Sequence, residues 1–254
     1  MSWEAASHRC AIWRRGKHHV NGQLRLTEAF VICSLHIVVV NKSDRQDVGG
    51  NEMAFFDNTR RPTGIEGKIM VSMMNLGHRA LADWGLGFLQ LGPDDRTLDC
   101  GCGGGANIRK LLSRYPQSVV MGIDYSHVSV EKSRKLNAKD IREGRCRVIQ
   151  GSVAALPFGE AQFDVVTAFE TVYFWPDLAH CFREIWRVLA PGGMFLICNE
   201  VNGESAKDER WTEIIAGMTI YNDAALQSAL KQAGFHDIQI HKNRKGWLCV
   251  TGRK

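Results

Sequence analysis

Asp99, Gly101, Gly103 and Asp124 carry the clearest chemical signal in this chain. The run Thr97-Leu98-Asp99-Cys100-Gly101-Cys102-Gly103-Gly104-Gly105-Ala106 reads as a short buried strand that breaks into glycines and then enters a helix. Glycines at such a turn present bare backbone N–H groups to a ligand, because no side chain blocks its approach. A second apolar run, Val119-Val120-Met121-Gly122-Ile123, ends in Asp124. A glycine turn followed about 20 residues later by a carboxylate is the layout that holds a nucleoside, with glycines at the linker and the acid on the ribose hydroxyls. An adenosine-containing cofactor is expected.

Two cofactor classes fit that layout. Gly101-x-Gly103-x-x-Ala106 satisfies the dinucleotide pattern, which would imply a nicotinamide or flavin enzyme. Asp99, two places before the first glycine, argues against it, because a carboxylate there would face the negative charge of a diphosphate. S-adenosylmethionine instead carries an ammonium and a sulfonium, and both favour a nearby carboxylate. The purely structural alternative is that Asp99 caps or hydrogen-bonds the turn.

Further blocks follow in order. LDCGCGGGANI resembles the first motif of class I S-adenosylmethionine-dependent methyltransferases, and GIDYSHVSVEKSRK resembles the second. GSVAALPF, FDVVTAFETVYFWPD and RVLAPGGMFLICNE resemble the segments around the third, fourth and fifth strands of that family. MNLGHRALADWGL resembles the lead-in of a bacterial subgroup of small methyltransferases, mostly without assigned substrates. The likeness covers roughly Met53 to Lys254. It implies S-adenosyl-L-methionine as cofactor, with Asp124 on the ribose and Tyr125 beside the adenine. One departure stands out: Ser152 occupies a position where many relatives carry an aspartate that accepts from the adenine amino group. A serine oxygen can accept that bond, but without charge and more weakly.

The elements that must position these residues are legible from spacing. Residues 64–91 carry helical periodicity through Met70, Met74, Leu81 and Phe88. Strands are predicted at Thr97–Cys100, up to Ile123, Cys146–Ile149, Phe163–Ala168 and Met194–Cys198. Helices are predicted from Ala106 to about Ser113, after a Ser126 cap, near Glu209–Met218 and near Ala224–Ala233. Another helix starts with Pro176 in its first turn and shows an apolar face of Leu178, Phe182, Ile185, Trp186 and Leu189, ended by Pro191-Gly192-Gly193. Asp237–His241 and Trp247–Thr251 should form a closing antiparallel hairpin. The fold class is α/β: a doubly wound, mostly parallel, seven-stranded Rossmann-like sheet with a C-terminal hairpin.

The 254 residues suffice for one sizeable domain, and a net charge of +5 is too mild to mark a nucleic-acid binder. Of the eight cysteines, Cys146, Cys198 and Cys249 fall in predicted buried strands, Cys181 in an amphipathic helix and Cys100 and Cys102 in the glycine turn, a scatter that fits a reducing compartment. Cys100-x-Cys102 lacks a partner pair at ligand spacing, so no metal centre is expected. Residues 1–52 look unlike the rest. Their apolar run, Ala29 to Val40, is too short to span a bilayer and is interrupted by His36. A membrane-surface anchor is a minority alternative. The expectation is a poorly packed extension, with Met53 as a candidate native start, and a methyltransferase domain over 53–254. A cytoplasmic location is expected, with no nucleic-acid or membrane partner and an open oligomeric state.

Ligands of open α/β sheets sit beyond the carboxyl ends of the strands. The residues there should divide the work. Asp99, Gly101, Cys102 and Gly103 are expected around the methionine part. Asp124 is expected on the ribose, Tyr125, Ser152 and Val153 around the adenine, and Phe169 against the cofactor. Methyl transfer from a sulfonium needs alignment and exclusion of water, and a base only when the acceptor is protonated. His78, Glu170 and Tyr173 are the catalytic candidates, with Glu200 a further possible base. Phe169, Tyr173, Phe174 and Trp175, with Met74 and Trp84, should wall an apolar or aromatic small-molecule acceptor. Each also has a structural alternative as core or cap. The competing functions are a protein or RNA methyltransferase, a cofactor-binding protein without catalysis, and a nicotinamide oxidoreductase.

Overall fold

A computed structural model describes residues 78–205, 208–215 and 217–254, and the backbone of three short strands nearer the amino terminus. Those strands, β1 (Ile12–Arg14), β2 (Ala29–Cys33) and β3 (His36–Ile37), pair antiparallel in a small sheet. The chain divides into two compact units, residues 1–52 and 53–254.

The second unit is built on seven strands: β4 (Arg96–Cys100), β5 (Val119–Asp124), β6 (Cys146–Gln150), β7 (Phe163–Phe169), β8 (Leu189–Asn199), β9 (His236–Lys242) and β10 (Leu248–Arg253). Their order across the sheet is β6-β5-β4-β7-β8-β10-β9. The pairings from β6 to β8 are parallel, and β10 runs antiparallel to both its neighbours. Helices α1 (Arg79–Gly85), α2 (Ala106–Arg114), α3 (His127–Leu136), α4 (Ala138–Arg142), α5 (Leu178–Val188), α6 (Glu209–Ile214) and α7 (Asp223–Gln232) link the strands or precede them.

Two apolar layers cover the sheet. On one face Phe182, Ile185, Leu226 and Leu230 of α5 and α7 pack on Leu98, Val166, Phe195 and Ile197. On the other Leu81, Ile108, Leu111 and Val130 of α1, α2 and α3 pack on Val120, Val165, Leu196 and Cys198. Alternate residues of β8 thus serve opposite layers, as a strand buried on both sides requires. The predicted doubly wound sheet and closing hairpin are present. Cys100, Cys102, Cys146, Cys181, Cys198 and Cys249 are buried and free.

Several boundaries differ from the periodicity. The helix expected over 64–91 is helical at Arg79–Gly85 and a 3₁₀ turn at Leu86–Phe88, while Met70 and Met74 lie outside the described residues. Asp177 caps α5, its Oδ1 accepting from His180 N at 2.9 Å, and Pro176 stands before the cap rather than in the first turn. Trp186 is 37% exposed and not part of the buried face; Lys254 Nζ sits 4.0 Å from its ring centroid. Pro191-Gly192-Gly193 lies inside β8, where the pairing shifts between Phe163↔Leu189 and Val165↔Met194.

The glycine turn between β4 and α2 is braced from behind. Gly105 adopts φ +78° at the N-cap of α2, and a Cβ there would lie 2.3 Å from Ser133 Oγ. Asn137, buried at the end of α3, donates from Nδ2 to Gly105 O at 3.2 Å and to Ser133 O at 2.9 Å. Asn137→Ala leaves both carbonyls without this donor and should lower unfolding stability by about 1–3 kcal/mol in urea titrations. An unchanged midpoint would show that the turn does not depend on this strut.

Candidate functional site

The chain runs outward from β4 through β5 to β6, then crosses back to β7 on the other side of β4. That reversal opens a crevice beyond the carboxyl ends of the strands. A cavity of about 330 Å³ occupies it. Asp124, Tyr125, Gly151, Ser152 and Val153 line it at the ends of β5 and β6, Phe169 and Glu170 at the end of β7, and His78 and Leu81 at the start of α1. Gly101, Cys102 and Gly103 line it between these groups.

The turn's N–H groups are largely spoken for. Gly101 N and Cys102 N donate to Ile123 O at 2.8 and 3.1 Å. Gly103 N donates to Asp124 Oδ2 at 2.8 Å, and Ser126 N donates to Asp124 Oδ1 at 2.8 Å. The glycines therefore contribute room more than donors, a correction to the sequence expectation. A Cβ at Gly101 would collide with Thr171, whose Oγ1 would stand 2.1 Å away. At Gly103, with φ +51°, a Cβ would meet only open space. Burial raises the carboxyl pKa of Asp124, and the two N–H bonds pull it back.

Of the described residues predicted for the site, Asp99, Tyr173, Glu200 and Trp84 are absent from the cavity wall. Asp99 is 1% exposed and lies beneath the turn, Oδ1 accepting from Thr167 Oγ1 at 2.7 Å. Burial pushes its pKa to about 7, with the charge of Asp124 adding to the rise and Thr167 opposing it. A strand residue covered on both faces cannot reach a ligand that sits beyond the strand end. Tyr173 is 2% exposed and turned inward: its hydroxyl accepts from Val201 N at 3.0 Å and stands 3.3 Å from Glu170 Oε1. Burial, reinforced by Glu170, drives the phenol pKa well up, so Tyr173 is no base. Trp84 also misses the cavity, packing on Phe88 and Trp247. Met74 lies outside the described residues.

Glu170 and His78 meet at the floor. Glu170 holds a left-handed backbone, φ +57°, just past β7. Its Oε1 accepts from Glu200 N, and Oε2 has no hydrogen-bond partner among the described residues and faces His78 Nε2 at 3.8 Å. Burial, then the nearby charge of Glu200, raise the Glu170 pKa to about 8. Burial lowers that of His78 to about 4. At neutral pH the floor thus holds a carboxylic acid beside a neutral imidazole. His78, Glu170 and Glu200 each place a donor atom within 4.8 Å of the others, a set that could also take a cation.

Ser152 lines the cavity, but its Oγ already accepts from Ala154 N at 3.2 Å, capping the 3₁₀ turn Val153–Ala155. Phe174 and Trp175 line the cavity as expected. Sequence patterns missed Thr171, Arg79, Asn107 and Lys110 in the wall. Thr171 had one available signal, its place immediately after Glu170 at a strand end.

Comparisons with known proteins agree with this geometry. The methyltransferase-domain family matches residues 98–197. An Arabidopsis thaliana cycloartenol-C-24-methyltransferase is 34% identical over 161 residues, 59% of this chain and 48% of that protein. Bacillus subtilis YdaC, described as an uncharacterised methyltransferase, is 29% identical over 185 residues, 72% of this chain and 96% of that one. The chain spans about half the length, or less, of the sterol-methylating relatives it matches. The fold resembles a chain solved in complex with the Haloferax volcanii Trm112 methyltransferase activator, with a TM-score of 0.69, 22% identity and coverage of 74% of this chain and 93% of that one.

Asp124 is the residue on which ligand affinity should turn. Asp124→Ala should weaken S-adenosylhomocysteine binding more than about 100-fold in calorimetry, since charge-assisted bonds of about 1.5–3 kcal/mol each are lost. Unchanged affinity would remove Asp124 from the site.

Proposed function

The chain belongs to the class I S-adenosylmethionine-dependent methyltransferases, and from that premise we propose that it methylates a small, apolar or aromatic acceptor by in-line displacement. The observation that carries this reading is a single cavity joining the Asp124 end of the sheet to the Glu170 end. S-adenosylmethionine supplies, when bound, a sulfonium-activated methyl group. The residues present suit it: open space at Gly103, a carboxylate at Asp124 and an exposed aromatic at Tyr125.

Asp124 gives one lone pair on each oxygen to Gly103 N and Ser126 N and keeps others for ribose hydroxyls. Tyr125, Ser152 and Val153 then flank the purine, and Gly101, Cys102 and Gly103 give passage to the amino-acid portion. Leu81, Phe169, Phe174 and Trp175 keep water from the acceptor and favour a flat or aliphatic body. The sterol-methylating relatives support an acceptor of that character.

His78 and Glu170 are the groups placed to take a proton from the acceptor. Burial lowers the His78 pKa to about 4 and makes it the weaker base of the two, while Glu170 becomes competent as its carboxylate forms near pH 8. Tyr173 holds the carboxyl from behind through Oε1 and leaves Oε2 toward the cavity. Asp99 ties β4 to β7 by accepting from Thr167.

The acceptor is identified by incubating the protein with metabolite fractions and S-adenosylmethionine labelled in its methyl group, then reading products by mass spectrometry. Label in a small apolar product, absent with Asp124→Ala, is the expected result; label only in protein or RNA would overturn the reading. With an acceptor that surrenders a proton, kcat/KM should rise through about pH 8 and level off above it. Glu170→Gln should flatten that limb and lower kcat by roughly 10²–10⁴-fold. A variant that keeps the alkaline rise would assign the titration to another group.

A further inference from the structure

We propose that His78, Glu170 and Glu200 bind one divalent cation of the zinc or manganese class at the floor of the cavity. The inference stands apart from the methyl-transfer reading. The three residues come from the start of α1 and the ends of β7 and β8, so no local spacing in the sequence announces them.

The geometry is that of ligands around an ion rather than of a hydrogen-bonded cluster. The Glu170 side chain is 5% exposed, and its Oε1 is held by Glu200 N and by Tyr173, whose hydroxyl stands 3.3 Å away. That grip fixes the carboxyl group and leaves Oε2 toward His78, with no hydrogen bond among the described residues. His78 Nε2 lies 3.8 Å from Oε2, beyond hydrogen-bond reach. Two ligands of one tetrahedral zinc ion, each about 2.1 Å from it, stand about 3.4 Å apart. Glu200 places a carboxylate oxygen within 4.8 Å of both, completing a triangle that a small contraction closes on an ion.

The donor set selects the kind of ion. One imidazole nitrogen with two carboxylate oxygens suits zinc or manganese, whereas magnesium and calcium favour oxygen alone. No lysine or arginine among the described residues pairs with Glu170, so a cation is the fitting source of positive charge beside it. His78 and Glu170 line the cavity, which gives the ion an entry and leaves a coordination position open to it. Glu200 N and Tyr173 steady the Glu170 ligand from behind. The ion uses the lone pairs that would otherwise take a proton, so the base role of His78 and Glu170 belongs to the ion-free protein.

The test titrates zinc chloride into the full chain, first stripped with a chelator, and follows binding by calorimetry. One ion per chain should bind at this site. Glu170→Gln, Glu200→Gln and His78→Ala should each weaken it by more than about tenfold. His236→Ala, at the exposed His236–Asp237 pair of 3.1 Å, should leave the affinity unchanged. A cooperative urea transition checks that each variant is folded. Cobalt(II) bound to the native protein gives a readout that needs no variant: visible ligand-field bands are expected, without the near-ultraviolet band of a cobalt–thiolate bond. A thiolate band would place the ion on cysteine and overturn the proposal. So would a zinc affinity weaker than about 1 mM, one that Glu170→Gln leaves intact, or one that His236→Ala abolishes. Failure of the native protein to bind S-adenosylhomocysteine would instead overturn the methyl-transfer reading and leave this site standing.

Discussion

The carboxylate of Asp124 ties together two loops that the sheet brings side by side. Parallel pairing of β4 with β5 sets Cys100 opposite Ile123, so both strands end at the same edge. Ile123 O then accepts from Gly101 N and Cys102 N, and Asp124 accepts from Gly103 N and Ser126 N, each at 2.8 Å. Bonds of this kind are roughly twice as strong as neutral ones, which offsets part of the cost of burying the charge. The glycine turn is thereby shaped before any ligand arrives. Its ordering cost is met during folding, so less affinity is lost to it on binding.

The opposite end of the cavity follows a different logic. Glu170 and Glu200 each follow directly on the end of one of two neighbouring parallel strands, β7 and β8. Phe169 pairs with Cys198, so Glu170 stands level with Asn199 and Glu200 lies one residue further on, its N donating to Glu170 Oε1. Burial first, and then the charge of Glu200, make Glu170 keep its proton to about pH 8. The left-handed backbone at Glu170 turns one oxygen toward Tyr173 and the Glu200 main chain and leaves the other toward His78. A group that changes charge near physiological pH is thereby obtained from burial and a neighbouring acid at two strand ends.

Legibility in the sequence divides along the same line. The strand alternation, the glycine turn and the acid closing β5 are local patterns, and they led to the doubly wound sheet and to most of the cavity wall. Orientation was not legible. Asp99 and Tyr173 have the chemical types of site residues, yet both point into the protein, because facing depends on strand register and on what the preceding loop does. Ser152 was visible as a residue of the cavity wall, but not the Ala154 N–H that engages its hydroxyl. Thr171 became part of the site only through its packing against Gly101, 70 positions away in the chain. Pro176 and Trp186 show the same limit on helix α5: residue type suggested a first turn and a buried face, whereas Asp177 took the cap and Lys254 covered the indole.

The two ends therefore differ in how far fold determines them. At the Asp124 end, backbone groups satisfy one another and leave a cradle whose shape any sequence with the same turn would reproduce. At the Glu170 end, the wall consists of side chains from α1 and from the end of β7 and the loop after it. Likeness of fold therefore carries to the first end and weakly to the second. Side chains from a few loops fix the acceptor, and they can change while the cradle stays the same.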